Sequence, residues 1–134
     1  MILVSYNIKG VGGAPKITAL GRLFRVIKTD IVLIQEIMCK VEMACEIFIK
    51  KFSGWEVSVV NVNGLLGGLL AIWNPYFVDL KSYSCCAGLL LEGKIRGVND
   101  QVNLVNCYAL YYGKLEFWNN VMNSGLLLEQ GLIF

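Results

Sequence analysis

Two polar groups close apolar runs in the first third of the chain. Asn7 ends Ile2-Leu3-Val4-Ser5-Tyr6, and Gln35-Glu36 ends Ile31-Val32-Leu33-Ile34. If the two runs are neighbouring parallel strands, both polar ends fall at one edge of a sheet, where open α/β folds put their sites. A carboxylate there suits a hard cation, because magnesium is often held by one or two carboxylates together with substrate phosphate. Glu36 is then the candidate metal ligand, and Asn7 the amide that orients it or touches a phosphate oxygen. Tyr108, which ends the run Val102-Asn103-Leu104-Val105-Asn106-Cys107, is a third candidate, with a hydroxyl able to donate to a phosphate oxygen. Each has an ordinary reading as well. A glutamate after a strand is common and a strand-end tyrosine usually packs, so on the residues alone the ordinary reading outweighs the functional one.

Other chemistries are excluded by what the chain lacks. It has no histidine, so no Ser-His or Cys-His nucleophile can be assembled from it. Gly10-Val11-Gly12-Gly13 has no Gly-Lys-Ser/Thr after it and no Rossmann spacing. The cysteines Cys39, Cys45, Cys85, Cys86 and Cys107 form no CxxC pair, which argues against structural zinc. They read instead as reduced thiols of an intracellular protein, nuclear or cytoplasmic. A net charge of +2 with scattered basic residues is a weak nucleic-acid signature. The N-terminus lacks the pattern of a signal peptide. The uncharged stretch from Val57 to Val78 is interrupted by Asn61, Asn63, Gly64, Gly67, Gly68, Asn74 and Pro75, so it reads as strands and turns rather than a membrane span.

The candidate residues need elements to hold them. A strand over 2–8 leads through a glycine turn to a helix from Lys16, with Ile17, Leu20, Phe24 and Ile27 at helical spacing and Pro15 in its first turn. Asp30 to Gln35 is a strand covered on both faces. A second helix over 41–52 buries Val41, Ala44, Cys45, Phe48 and Phe52 and ends at Ser53-Gly54. Strands follow over 55–62, 68–73, 76–83, 89–98 and 101–109, with turns at Asn63-Gly64, Asn74-Pro75 and Asn99-Asp100. Leu115 to Val121 starts a third helix. The order β-α-β-α and then hairpins predicts a layered α/β (α+β) domain rather than a regular doubly wound one.

In this order the pieces resemble the endonuclease/exonuclease/phosphatase superfamily, the DNase I-like fold, and most nearly the endonuclease domains of plant LINE-type retrotransposons. The matching stretches are Ser5 to Gly12, Lys28 to Glu36, Gly54-Trp55, Gly67 to Pro75, Val105 to Tyr108 and Phe117-Trp118. The resemblance implies a four-layer α/β sandwich, of which residues 1–134 form the N-terminal portion, truncated at the C-terminus. It implies Asn7 and Tyr108 as catalytic residues, Glu36 as ligand to Mg2+, and nucleic acid as partner.

The family chemistry also draws on a later Gly-Asp-Phe-Asn-like segment and a C-terminal Asp-His pair, and neither occurs here. Ala109-Leu110 follows Tyr108, where the family commonly has a proline two residues on. A positioned proton carrier often contributes about 10²–10⁴-fold in rate. The expectation is therefore a truncated, inactive, retrotransposon-derived relative of a magnesium-dependent endonuclease, a pseudoenzyme. The alternatives are a non-catalytic interaction module and a residual metal-dependent phosphoesterase. With 56% hydrophobic and only 16% charged residues, the chain is also expected to lack most of a second sheet. One apolar face would then be open to self-association.

Overall fold

The computed structural model describes residues 1–61, 67–85, 88–107, 114–123 and 132–133. Its elements follow the order β1 (Leu3–Asn7), α1 (Ala14–Ile27), β2 (Ile31–Gln35), α2 (Val41–Lys51), β3 (Glu56–Val60) and β4 (Leu69–Trp73). They continue with β5 (Val78–Cys85), β6 (Gly88–Ile95), β7 (Val102–Asn106), α3 (Lys114–Asn123) and β8 (Leu132–Ile133). The turn at Asn63-Gly64 lies outside the described residues.

Pro15 sits in the first turn of α1, where its missing N–H costs nothing. Lys28 ends the helix in the left-handed region, and its N–H reaches back to the Arg25 carbonyl at 3.2 Å. Ile17, Leu20 and Phe24 form the buried stripe of α1, while Ala44 and Phe48 do the same for α2.

The strands make two four-stranded sheets, ordered β1-β2-β4-β3 and β5-β6-β7-β8. Strands β1 and β2 are parallel, with Asn7 opposite Gln35, while β4 runs antiparallel to both β2 and β3. Side chains alternate along a strand, so each face of the first sheet takes every second residue. Val32, Ile34, Leu70 and Ile72 pack against the helices. Ile31, Leu33, Leu69, Ala71 and Trp73 pack against Val78, Leu80, Leu89, Leu91, Val102 and Leu104 of the second sheet. All five residues of β2 are buried. The result is a mixed α/β structure of helices on a sheet on a second sheet.

One expectation is corrected here. The second sheet is not mostly absent: β5 to β8 cover the inner face of the first sheet, and the high apolar content is used in two cores rather than one. The open inner face from which self-association was expected does not exist. The Asn74-Pro75 turn carries the chain from one sheet to the other. Its geometry is set by the Asn74 N–H on the Asp30 carbonyl (2.9 Å) and by the Asn74 side-chain oxygen accepting from Tyr76 N–H (3.1 Å).

Candidate functional site

Because β1 and β2 are parallel and in register, Asn7 and Glu36 emerge at the same edge of the first sheet. Two loops meet there, 8–13 leaving β1 and 36–40 leaving β2. Backbone hydrogen bonds join them: Ile8 N–H to the Gln35 carbonyl (3.0 Å), Gly10 N–H to the Glu36 carbonyl (2.6 Å) and Val11 N–H to the Ile37 carbonyl (2.9 Å). Lys16 strengthens the join from α1, its ammonium donating to the Ile8 carbonyl and to the Gly10 carbonyl (2.8 Å). A third segment, entering β4, is bound to the same loop through Met38 N–H on the Gly67 carbonyl (2.6 Å).

This edge departs from ordinary backbone conformation. Lys9, Glu36 and Met38 all have positive φ, at 50°, 56° and 50°. Such values are uncommon outside glycine and cost of order 1–3 kcal/mol each. The surroundings over-determine them. A Cβ on Gly67 would lie 2.4 Å from the Met38 Cα, and one on Gly68 would lie 2.6 Å from the Ile37 side chain. The Gly67-Gly68 pair is therefore what allows the loop carrying Glu36 to lie against the start of β4.

Glu36 is only 9% exposed. Among the described residues no hydrogen-bond donor or cation meets its carboxylate. Asn7 is exposed, and its side-chain oxygen accepts from Lys9 N–H (3.1 Å), which leaves its amide N–H2 directed to no described partner. By register Asn7 shares the inter-sheet face of β1 with Leu3 and Ser5. Tyr108 lies outside the described residues.

One residue of this edge, Asn106, has no role in the expectations drawn from the sequence, and another, Gln35, figures there only as a strand end beside Glu36. Asn106, at the end of β7, is 1% exposed and reaches across from the second sheet. Its N–H2 donates to the carbonyls of Ile34 (3.1 Å) and Leu70 (2.9 Å), and its oxygen accepts from Gln35 Nε2 (2.7 Å). Gln35 also donates to the Ser5 hydroxyl (3.1 Å). The sequence held a signal for this link. Alternation puts Gln35 on the same face as Ile31 and Leu33, and an amide buried there needs a polar partner.

A divalent cation fits this edge in part. A carboxylate on a largely buried residue, without donors among the described residues, is a group that a hard cation would complete, and Glu36 would supply one such ligand. Among the described residues no cluster of three His, Cys, Asp or Glu side chains is poised around a metal. No described helix is long and apolar enough to cross a membrane.

No family model and no curated protein matches the chain. Solved structures do. The catalytic domain of Xenopus laevis APE2 superposes with a TM-score of 0.70 at 14% identity, over 99% of this chain and 56% of that one. D. rerio TDP2 complexed with a single-strand DNA product gives 0.66 at 13% identity, over 95% and 54%. An endonuclease/exonuclease/phosphatase family protein from Leptotrichia buccalis gives 0.62 at 12%, over 97% and 63%. At such identities the likeness establishes the fold. The chain has the DNase I-like architecture, and it spans about half the length of the solved structures it matches.

Proposed function

We propose that this chain carries part of the site of a magnesium-dependent phosphodiester hydrolase of endonuclease type, and that these 134 residues alone do not catalyse. The observation that carries the reading is Glu36: a largely buried residue whose carboxylate has no donor among the described residues, held on strained backbone and delivered to the same sheet edge as Asn7. Glu36 would hold the cation. Bound magnesium would supply charge neutralisation on the phosphoryl oxygens. The Asn7 amide, with its oxygen tied to Lys9 N–H, would present its N–H2 to a phosphate oxygen. Tyr108 would donate its hydroxyl to the same group, by the resemblance to the family.

Nucleic acid is the partner this reading favours, supported by the DNA product in the similar D. rerio structure and by the resemblance to LINE-type retrotransposon endonucleases. Inactivity follows from the residues present. The chain has no histidine to move a proton, and among the described residues no cluster of three His, Cys, Asp or Glu side chains could hold a metal. A single carboxylate holds magnesium weakly.

The experiment pairs two readouts on the purified chain. Free Mn2+ is titrated by electron paramagnetic resonance against the wild type and Glu36→Gln, and supercoiled plasmid is incubated with each in magnesium. Weak Mn2+ binding that Glu36→Gln removes, with no nicking by either protein, is the expected result. Nicking that depends on Glu36 would overturn the inactivity. Equal Mn2+ binding by both proteins would overturn the site.

A further inference from the structure

The inter-sheet face of the first sheet is apolar along most of its length, with Ile31, Leu33, Leu69, Ala71 and Trp73 closing on the second sheet. At the candidate edge this changes abruptly to a buried amide pair, Gln35 and Asn106. Burying amides brings no advantage in stability over a well-packed apolar pair, since their hydrogen bonds largely repay lost hydration. What the pair adds is direction. Asn106 donates to carbonyls on both β2 and β4, accepts from Gln35, and belongs to a strand of the other sheet. Gln35 extends the link to Ser5 on β1. Two side chains thus tie four strands together, one residue before Glu36 on β2 and two residues before Asn7 on β1.

We propose that the Gln35–Asn106 amide pair is a positioning device for the cation-facing edge, fixing the ends of β1, β2 and β4 so that Glu36 and Asn7 face one site. The inference rests on the reading of Glu36 as a cation ligand given above. Neither amide touches the cation; both act through Glu36 and the strand ends. Groups that orient a metal ligand from behind typically contribute about 10–100-fold in metal affinity.

The test uses near-isosteric apolar replacements, Gln35→Met with Asn106→Leu, made together so that neither amide is left without its partner. The full chain is labelled with 15N, and Mn2+-induced broadening of backbone amides is followed by NMR beside a thermal melt. In the wild type, broadening should centre on residues 7–10 and 36–38 and vanish in Glu36→Gln. The double variant should melt cooperatively yet need roughly tenfold more Mn2+ for the same broadening. A folded double variant with the wild-type Mn2+ dependence overturns the positioning role while leaving the Glu36 reading intact. A wild type whose broadening is indifferent to Glu36→Gln overturns both.

Should the double variant not fold, Ser5→Ala removes only the link from Gln35 to β1. A few-fold weaker Mn2+ dependence at unchanged melting temperature is then expected, and unchanged dependence overturns the proposal.

Discussion

The two ends of β2 each carry a carboxylate, and the molecule treats them in opposite ways. At the entry, Asp30 is half-buried and accepts from Ile2 N–H at 2.8 Å, while its own backbone bonds to Ile2 and Asn74 close the sheet. Its role is complete within the fold. At the exit, Glu36 is better covered than Asp30 and has no donor among the described residues. The backbone differs in the same sense. Near the entry the single non-glycine residue with positive φ is Lys28, which simply ends α1. At the exit there are three within thirty residues of chain, clamped between glycines and a lysine from α1. Strain and a carboxylate without a donor among the described residues coincide at one end, and that coincidence supports the proposal that the exit is the site.

The sharpest way to break the contrast is to remove the close approach that holds the exit loop. Gly67→Val places a branched side chain against the Met38 backbone at φ 39°, and a loss of about 3 kcal/mol or more is expected in urea denaturation. A loss below about 1 kcal/mol would show that the loop yields freely. Next in size is Asn106→Leu alone. It takes the Asn106 acceptor from the Gln35 amide, which keeps its bond to Ser5, and should cost about 2 kcal/mol, more than the double replacement with Gln35→Met.

Smaller again is Asp30→Ala at the entry, expected to cost about 1 kcal/mol through the lost bond to Ile2 N–H. Its effect should be indifferent to added Mn2+, since the entry is closed by the fold itself. The smallest effect concerns Cys39, in the exit loop, whose thiol is pushed up by burial. A raised thiol pKa leaves less thiolate near neutral pH. Alkylation should therefore be slower than for the same cysteine in the urea-unfolded chain, and an equal rate would contradict that placement.

Much of this arrangement was legible in the residues. Alternation and β-branching marked β2, helical spacing marked α1 and α2, and the strand-helix-strand order was compatible with the parallel placement of Asn7 beside Gln35-Glu36 that the structure has. What could not be read was pairing between distant segments. The assignment of β5 to β8 to a separate packed sheet depends on which strands meet face to face, and local pattern carries no such information. For that reason the apolar composition was taken for an exposed face when it fills a second core. Likewise, Asn106 looked like one polar residue among several near a strand end. Only the sheet-on-sheet contact reveals it as the partner of Gln35, seventy-one residues away. Lys16 marks only the start of a helix in the sequence until the loop it staples is seen.

The most direct measurement is the unfolding free energy of the wild type and of Glu36→Gln, each with and without millimolar Mn2+. A carboxylate kept for a cation should give a wild type that gains stability with Mn2+ and a Glu36→Gln variant that does not, the variant being no less stable than the wild type when metal is absent. If Glu36→Gln is instead destabilised without metal as Asp30→Ala is, and Mn2+ shifts both proteins alike, then Glu36 serves the fold and the exit of β2 is no site.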